Sequence, residues 1–151
     1  MSKKIEIWTD GACKGNPGVG GWGALIILDD VEVELKGAEE ETTNNRMELT
    51  AVIMSLQYIE DNFEDVDELI IHVDSQYVMN PFVQNWLENW QKQGWKTASK
   101  TPVKNKDLWQ ELIKLVDKLN PKWNWVRGHC GIAENERADE LANLAIKNLN
   151  N

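Results

Sequence analysis

Cysteine is nearly absent from this 151-residue chain: only Cys13 and Cys130 occur, and no C-x-x-C pair is present. Two thiols are too few for the disulfide framework of a small secreted fold, so both are read as free thiols in a reducing compartment. Long apolar runs are missing as well. No stretch approaches the roughly 20 residues needed to cross a bilayer. Met1-Ser2-Lys3-Lys4 leads into a short alternating segment, not into the apolar core of a signal peptide. A cytoplasmic protein without membrane contact is therefore expected. Repeats, linkers and low-complexity tracts are also absent, and the length suits one domain over residues 1–151. Such a chain is long enough to bury roughly 68–70% of the surface its unfolded form exposes.

Positive charge is scarce overall. Lys and Arg number 16 against 25 Asp and Glu, which gives a net charge of −9 and a pI near 4.7. As an average this argues against a nucleic-acid partner, but the charges are unevenly placed. Seven acids and one lysine lie between Asp29 and Glu41, and six acids with no base lie between Glu60 and Glu68; both runs read as solvated faces. Between Asn89 and Lys106 the balance inverts to five lysines and no acid, with Trp90 and Trp95 threaded through the stretch and Trp86 just before it.

The periodicity predicts a mixed α/β domain. Residues 4–10 alternate as a strand ending at Asp10, and Gly11 to Gly23, with six glycines and Pro17, reads as a turn region. Residues 24–28 and 31–35 form a hairpin about Asp29-Asp30, so the opening three strands are antiparallel. Thr42, Thr43, Asn44 and Asn45 offer caps for a helix carrying Leu49, Val52, Ile53, Leu56 and Ile59. A fourth strand (69–73), helices over 76–90 and 107–119, a short strand over 123–126 and a final helix marked by Ala138, Leu141, Ala142, Ala145 and Leu149 complete the order. The expectation is a five-stranded mixed sheet, three antiparallel strands then two parallel, with helices on both faces.

Four carboxylates, Asp10, Glu48, Asp74 and Asp139, fall where strands end or helices begin. Oxygen ligands without a histidine or cysteine cluster favour hard octahedral Mg²⁺, with Mn²⁺ as a substitute. Two such ions about 3.5–4 Å apart clamp the attacking and leaving oxygens of a phosphodiester displacement. Each residue also has a plainer reading. Asp10 fits a turn aspartate, Glu48 a capping box three residues after Asn45, Asp74 an N-cap, and Asp139 a favourable partner of a helix dipole. Spacing alone leaves these alternatives open.

The neighbouring residues are more specific. Thr9-Asp10-Gly11-Ala12-Cys13-Lys14-Gly15-Asn16-Pro17-Gly18, Thr43-Asn44-Asn45-Arg46-Met47-Glu48-Leu49, Val73-Asp74-Ser75-Gln76-Tyr77-Val78, Val126-Arg127-Gly128-His129-Cys130-Gly131 and Asn135-Glu136-Arg137-Ala138-Asp139-Glu140-Leu141-Ala142 together closely resemble the bacterial, first-class type of ribonuclease H, in order and from Ile5 to about Ala145. The resemblance implies endonucleolytic hydrolysis of the RNA strand of RNA–DNA hybrids, leaving 5′-phosphate and 3′-hydroxyl ends, by a monomer. It assigns Asp10, Glu48, Asp74 and Asp139 as ligands of two Mg²⁺ ions and His129 as a loop residue that moves protons or assists product release. It also implies that Asn16, Asn44 and Gln76, with backbone groups near Cys13 and Gly15, sense 2′-hydroxyls. Thr43 and Asn105 match a pocket gripping a DNA-strand phosphate. Residues 83–106 match a basic handle in which Trp86, Trp90, Lys92 and Lys96 contact the DNA strand. Trp86 and Trp90, four apart on one helix face, also suit core packing, and Thr43 also suits a helix cap.

The rival readings are weaker. Polynucleotidyl transferases share clustered carboxylates but lack the Thr43-to-Glu48 motif and the handle. A module that binds RNA–DNA hybrid without cleaving it would need a damaged carboxylate set, and a Ca²⁺-binding domain would need EF-hand spacing. The chain also departs from the family pattern. Glu41 stands where several relatives carry a base beside the phosphate pocket, Gln91 and Gln93 flank Lys92, and the stretch from Asp74 to Trp86, with Pro81, is one residue longer than usual. Glu41→Arg is expected to lower the KM for hybrid and to steepen its log–log salt dependence by about one unit; a KM series across KCl concentrations checks this, and no change in either quantity dismisses it.

Overall fold

The computed structural model describes residues 3–15, 17–97, 99–126 and 132–149. The elements run β1 (Lys4–Gly15), β2 (Gly18–Leu28), β3 (Val31–Thr42), α1 (Asn44–Asn62), β4 (Glu68–Val73), α2 (Gln76–Val83), α3 (Trp86–Lys92), α4 (Lys106–Leu119), β5 (Lys122–Trp125) and α5 (Ala133–Leu149). One sheet carries the strands in the order β3-β2-β1-β4-β5. β2 lies antiparallel to both β1 and β3, while β4 pairs parallel with β1 and β5 with β4. This is the mixed sheet the sequence predicts.

Most of the stretch from Gly11 to Gly23 is strand: β1 runs on through Gly15 and β2 begins at Gly18, so the expected turn region narrows, among the described residues, to Pro17. β1 and β2 pair along it, with Asp10 opposite Gly23 and Gly11 opposite Trp22. The glycines serve helix approach. A Cβ on Gly21 would stand 2.4 Å from the Ala142 carbonyl oxygen, and one on Gly23 would stand 2.4 Å from that of Ala138. On the other side of the sheet, a Cβ on Gly11 would lie 2.6 Å from the Glu48 backbone nitrogen. Side chains alternate along a strand, so α5 lies on the face of Gly21 and Gly23 and α1 on the face of Gly11. Helices therefore cover both faces, at backbone contact distance.

Periodicity succeeds where burial is one-sided. The α1 stripe of Leu49, Val52, Ile53, Leu56 and Ile59 is buried as its spacing predicts, against Ile5 and Ile7 of β1 and Ile71 and Val73 of β4. Trp109, Leu112 and Leu115 of α4 close the same core. The predicted single helix over 76–90 is instead two, α2 and α3. Pro81 sits inside α2 without an N–H for the ladder. Asn85, at φ 60°, then breaks the run in the left-handed region that its short polar side chain tolerates. The final helix starts five residues before Ala138, its first apolar marker. Gly23→Ala is expected to destabilise the fold by about 1–3 kcal/mol, because the added methyl meets the α5 backbone; a drop in the urea midpoint at unchanged m-value checks it.

Candidate active site

Asp10 and Asp74 occupy equivalent places on neighbouring parallel strands. The β1–β4 pairing ends at Trp8 and His72, and each aspartate lies two residues further on. Asp74 thus follows the last residue of β4, while Asp10 lies where β1 has run past its pairing with β4; the carboxyl ends of parallel strands are where open α/β sheets gather ligands. Glu48 enters from the second turn of α1 and is buried. One carboxylate oxygen from each of Asp10, Glu48 and Asp74 lies within 4.8 Å of the other two. Asp139, on α5, reaches the group through a side-chain hydrogen bond with Asp10. Asn143 steadies it, donating from Nδ2 to the Asp139 carbonyl at 2.9 Å and to its Oδ1 at 3.3 Å.

The plainer roles open to these acids are filled by other residues. Thr43 caps α1, accepting from the Arg46 N–H at 3.2 Å, so Glu48 is not part of a capping box. Ser75 caps α2, accepting from the Val78 N–H at 3.3 Å, so Asp74 is not the cap. Asp139 lies beyond the first turn of a helix that begins at Ala133, too far in for a strong dipole contact. Asp10 is inside a paired strand, where the turn reading fails.

Proximity and burial make this cluster electrostatically uncomfortable. Burial first, then the Asp74 charge and the contact with Asp139, push the Asp10 carboxyl up to about 8 from an ordinary 3.8; the Gly11 N–H, donating at 2.9 Å, offsets this only in part. Burial followed by the charges of Asp10 and Asp74 raises Glu48 well above the carboxylate range. Oε2 of Glu48 is buried and has no hydrogen-bond partner among the described residues. Buried acceptors normally find a donor. An orphaned carboxylate oxygen facing two other acids fits a divalent cation with oxygen ligands, and no histidine or cysteine joins the group among the described residues.

The described residues expected on the substrate side fall on β1, at or beside the starts of α1, α2 and α4, and in or after α3. Cys13, near the end of β1, donates from Sγ to the Gly18 and Thr42 carbonyls at 3.6 and 3.5 Å, and Gly15 has a positive φ of 98°. Asn44 and Gln76 are exposed first residues of α1 and α2. Trp86 is exposed, whereas Trp90 is half-buried against Trp109, with ring centroids 5.8 Å apart. Both line a groove of about 330 Å³ with Gln76, Tyr77 and Lys104. Lys92 and Lys96 are exposed, Lys92 pairing with Glu88 at 3.1 Å. Asn16 and His129 lie outside the described residues, as does Cys130.

Sequence reading missed the network at Asn105. Arg46 Nη1 donates to Asn105 Oδ1 at 3.1 Å, and the Arg46 fork also grips both Asp107 oxygens at 3.1 and 2.8 Å. Asn105 Nδ2 donates to the Tyr77 hydroxyl at 2.9 Å. Arg46 and Tyr77 do sit inside the quoted motifs, but nothing in a linear motif shows that they meet across 28 to 59 residues of chain.

Comparison with known proteins agrees with this geometry. The model of the RNase H family matches residues 2–147. A ribonuclease H of Pseudomonas putida is 54% identical over 146 residues, 97% of this chain and 95% of its own length. One of Francisella tularensis subsp. novicida is 53% identical over 146 residues, covering 97% of this chain and 93% of the relative. Among solved structures, LC9-RNase H1, described as a type 1 RNase H with the type 2 active-site motif, superposes with a TM-score of 0.86 at 31% identity, covering 98% of this chain and 74% of that one. LC11-RNase H1, solved in complex with RNA/DNA hybrid, superposes at 0.75 and 26% identity, covering 98% and 100%.

A carboxyl with a raised pKa binds a proton in the folded state that the unfolded chain has already released. Metal-free stability therefore falls as pH rises from about 3.8 to about 8. Asp10→Asn is expected to raise the melting temperature of EDTA-treated protein at pH 8 and to leave it nearly unchanged near pH 4. Parallel melts across that range check this, and a gain independent of pH would contradict the assigned cause.

Proposed function

Because the chain belongs to the ribonuclease H family, we propose that it is a metal-dependent endonuclease that hydrolyses the RNA strand of RNA–DNA hybrids, leaving 5′-phosphate and 3′-hydroxyl ends. The observation that carries the reading is the convergence of Asp10, Glu48 and Asp74 within 4.8 Å, with Asp139 bonded to Asp10. That the related LC11-RNase H1 was solved holding RNA/DNA hybrid supports the substrate class.

Asp10, Glu48, Asp74 and Asp139 would hold two Mg²⁺ ions, with Mn²⁺ able to substitute. When bound, the ions activate a water and neutralise charge that builds on phosphorus and on the leaving oxygen. The chain's residues do the rest. Asp10, in contact with Asp139 and beside Asp74, would hold metal once it is ionised, and the unpartnered Glu48 Oε2 would supply a ready ligand atom. His129 would take the part of proton carrier, a role that suits imidazole because it exchanges protons near neutrality.

Hybrid is told from duplex DNA by the 2′-hydroxyl. Asn44 and Gln76, exposed at the starts of α1 and α2, bring amides that both donate and accept. Asn16 and the backbone near Cys13 and Gly15 extend this contact. Thr43 and Asn105 grip a DNA-strand phosphate, and the handle lays Trp86, Trp90, Lys92 and Lys96 along that strand. The unit acts as one ribonuclease H domain over residues 1–151, a monomer working in the cytoplasm.

Incubation with a labelled hybrid and Mg²⁺, beside EDTA and duplex-DNA controls, is expected to cut only the RNA strand and only with metal. Binding without cleavage would instead identify a non-cleaving hybrid-binding module. Asp10→Asn should remove nearly all turnover, and His129→Ala should slow it by about 10²-fold or more without abolishing it, as for loss of a general acid–base group. Equal losses for the two would overturn this division of roles.

A further inference from the structure

Asn105 holds an unusual position for its type. It precedes α4 in the N-cap place, at φ 60°, yet its side chain makes no capping hydrogen bond. Asparagine is among the preferred N-caps, so the amide forgoes a contact that ordinarily stabilises a helix start. The amide turns outward to two other helices instead. Its Oδ1 accepts from Arg46 Nη1 at 3.1 Å, and its Nδ2 donates to the Tyr77 hydroxyl at 2.9 Å. That hydroxyl also accepts from Trp109 Nε1 at 3.3 Å and donates to the Lys104 carbonyl at 3.5 Å. A cationic donor on one side and a saturated hydroxyl on the other allow only one orientation of the amide. In that orientation no partner among the described residues takes the second N–H of Nδ2.

Arg46 acts on the second candidate donor as well. Its backbone N–H donates to Thr43 Oγ1 at 3.2 Å, so the hydroxyl oxygen is engaged as acceptor and its own proton is left to donate. Thus the two ends of a single residue hold Thr43 and Asn105. The Arg46 charge itself is already matched, because both oxygens of Asp107 face the guanidinium. This pairing holds the Asp107 carboxyl below its ordinary range.

We propose that Arg46, with Tyr77, is a positioning residue for the phosphate grip: it aims the free N–H of Asn105 and the hydroxyl of Thr43 at one phosphate, while Asp107 keeps its guanidinium from binding that phosphate directly. The inference rests on the hybrid-cleaving function proposed above. It predicts a particular split in kinetics. Losing the aim weakens substrate binding by roughly one neutral hydrogen bond, a KM rise of about 3–10-fold, while the carboxylate cluster and kcat are untouched. No phosphate contact carrying a charge is lost, so the salt dependence of KM stays as it was.

The test measures kcat and KM on a hybrid at several KCl concentrations for the intact chain and for Arg46→Gln, Tyr77→Phe and Asp107→Ala. The expected result is a higher KM with kcat held within about twofold and an unchanged log–log salt slope for Arg46→Gln and Tyr77→Phe. At the highest salt, where long-range attraction is screened, Asp107→Ala also raises KM. A salt slope reduced by about one unit in Arg46→Gln would mean that the guanidinium touches phosphate itself, and would overturn the proposal. So would an unchanged KM in both Arg46→Gln and Tyr77→Phe, or a lower KM for Asp107→Ala at high salt. Tyr77→Phe removes one oxygen at nearly constant volume, so it decides the matter if Arg46→Gln does not fold. Cleavage by the unaltered chain upholds the underlying function whatever the variants do; no cleavage by it would overturn both.

Discussion

The rest of this structure is organised around one constraint: carboxylates must be buried close together at the end of a sheet. Three acids within 4.8 Å, Asp10 and Glu48 of them buried, disfavour their own ionisation, which raises Asp10 to about 8 and Glu48 well above its usual range. Such an arrangement persists only because the surrounding fold over-determines it. Asp10 is held in the β1–β2 pairing, Asp74 directly follows β4 and is succeeded by the Ser75 cap of α2, and Glu48 sits on a helix whose apolar stripe is locked into the core. None of the three can retreat without unzipping a strand pair or lifting α1. Geometry of this kind is costly to the metal-free fold, and a bound cation would offset that cost.

The distance between helix and sheet is the second half of that constraint, and glycine sets it. With any larger residue at Gly11, α1 would stand further off and carry Glu48 away from Asp10; at Gly23 the same holds for α5 and Asp139. A glycine-rich run in a sequence is ordinarily punctuation, which is why Gly11 to Gly23 reads as a turn region. In space most of it is paired strand, on which two helices rest from opposite faces. The sequence carries no local mark separating these uses, because a glycine that frees the backbone and one that clears room for a neighbour look alike.

Other features were legible for identifiable reasons. One-sided burial writes itself into spacing, so the α1 and α4 stripes and the order of strands could be read directly. The four acids were legible only through the motifs around them, since each had a local explanation equally good on spacing. What removes those explanations is which hydroxyl caps which helix: Thr43 and Ser75 do the work that would otherwise have accounted for Glu48 and Asp74. The division of the helix after Asp74 was hidden because Asn85 enters a left-handed conformation that many asparagines never adopt. The Arg46–Asn105–Tyr77 network was invisible for a different reason, being made of contacts between three helices with no shared period.

The uneven charge also finds its reason in the fold. The acidic run from Asp29 to Glu41 is the β3 hairpin arm, the outer strand of the sheet, and charged side chains on an exposed edge discourage pairing with a second chain. Glu34 on that edge is bound to Arg137 of α5, which ties the strand to the helix bearing Asp139. The second run is answered by lysines of the body: Glu60 by Lys118, and Glu68 by Lys4 and Lys122. In the handle, by contrast, Lys96, Lys100, Lys104 and Lys106 have no ion-pair partner among the described residues. A net charge of −9 therefore misstates what an approaching polyanion meets. The field that matters within a Debye length of about 8–10 Å is local, and beside the tryptophan-lined groove it is positive. An acidic protein can present a locally positive surface to a polyanion when much of its negative charge lies on an edge strand or in ion pairs and several unpaired lysines share one arm.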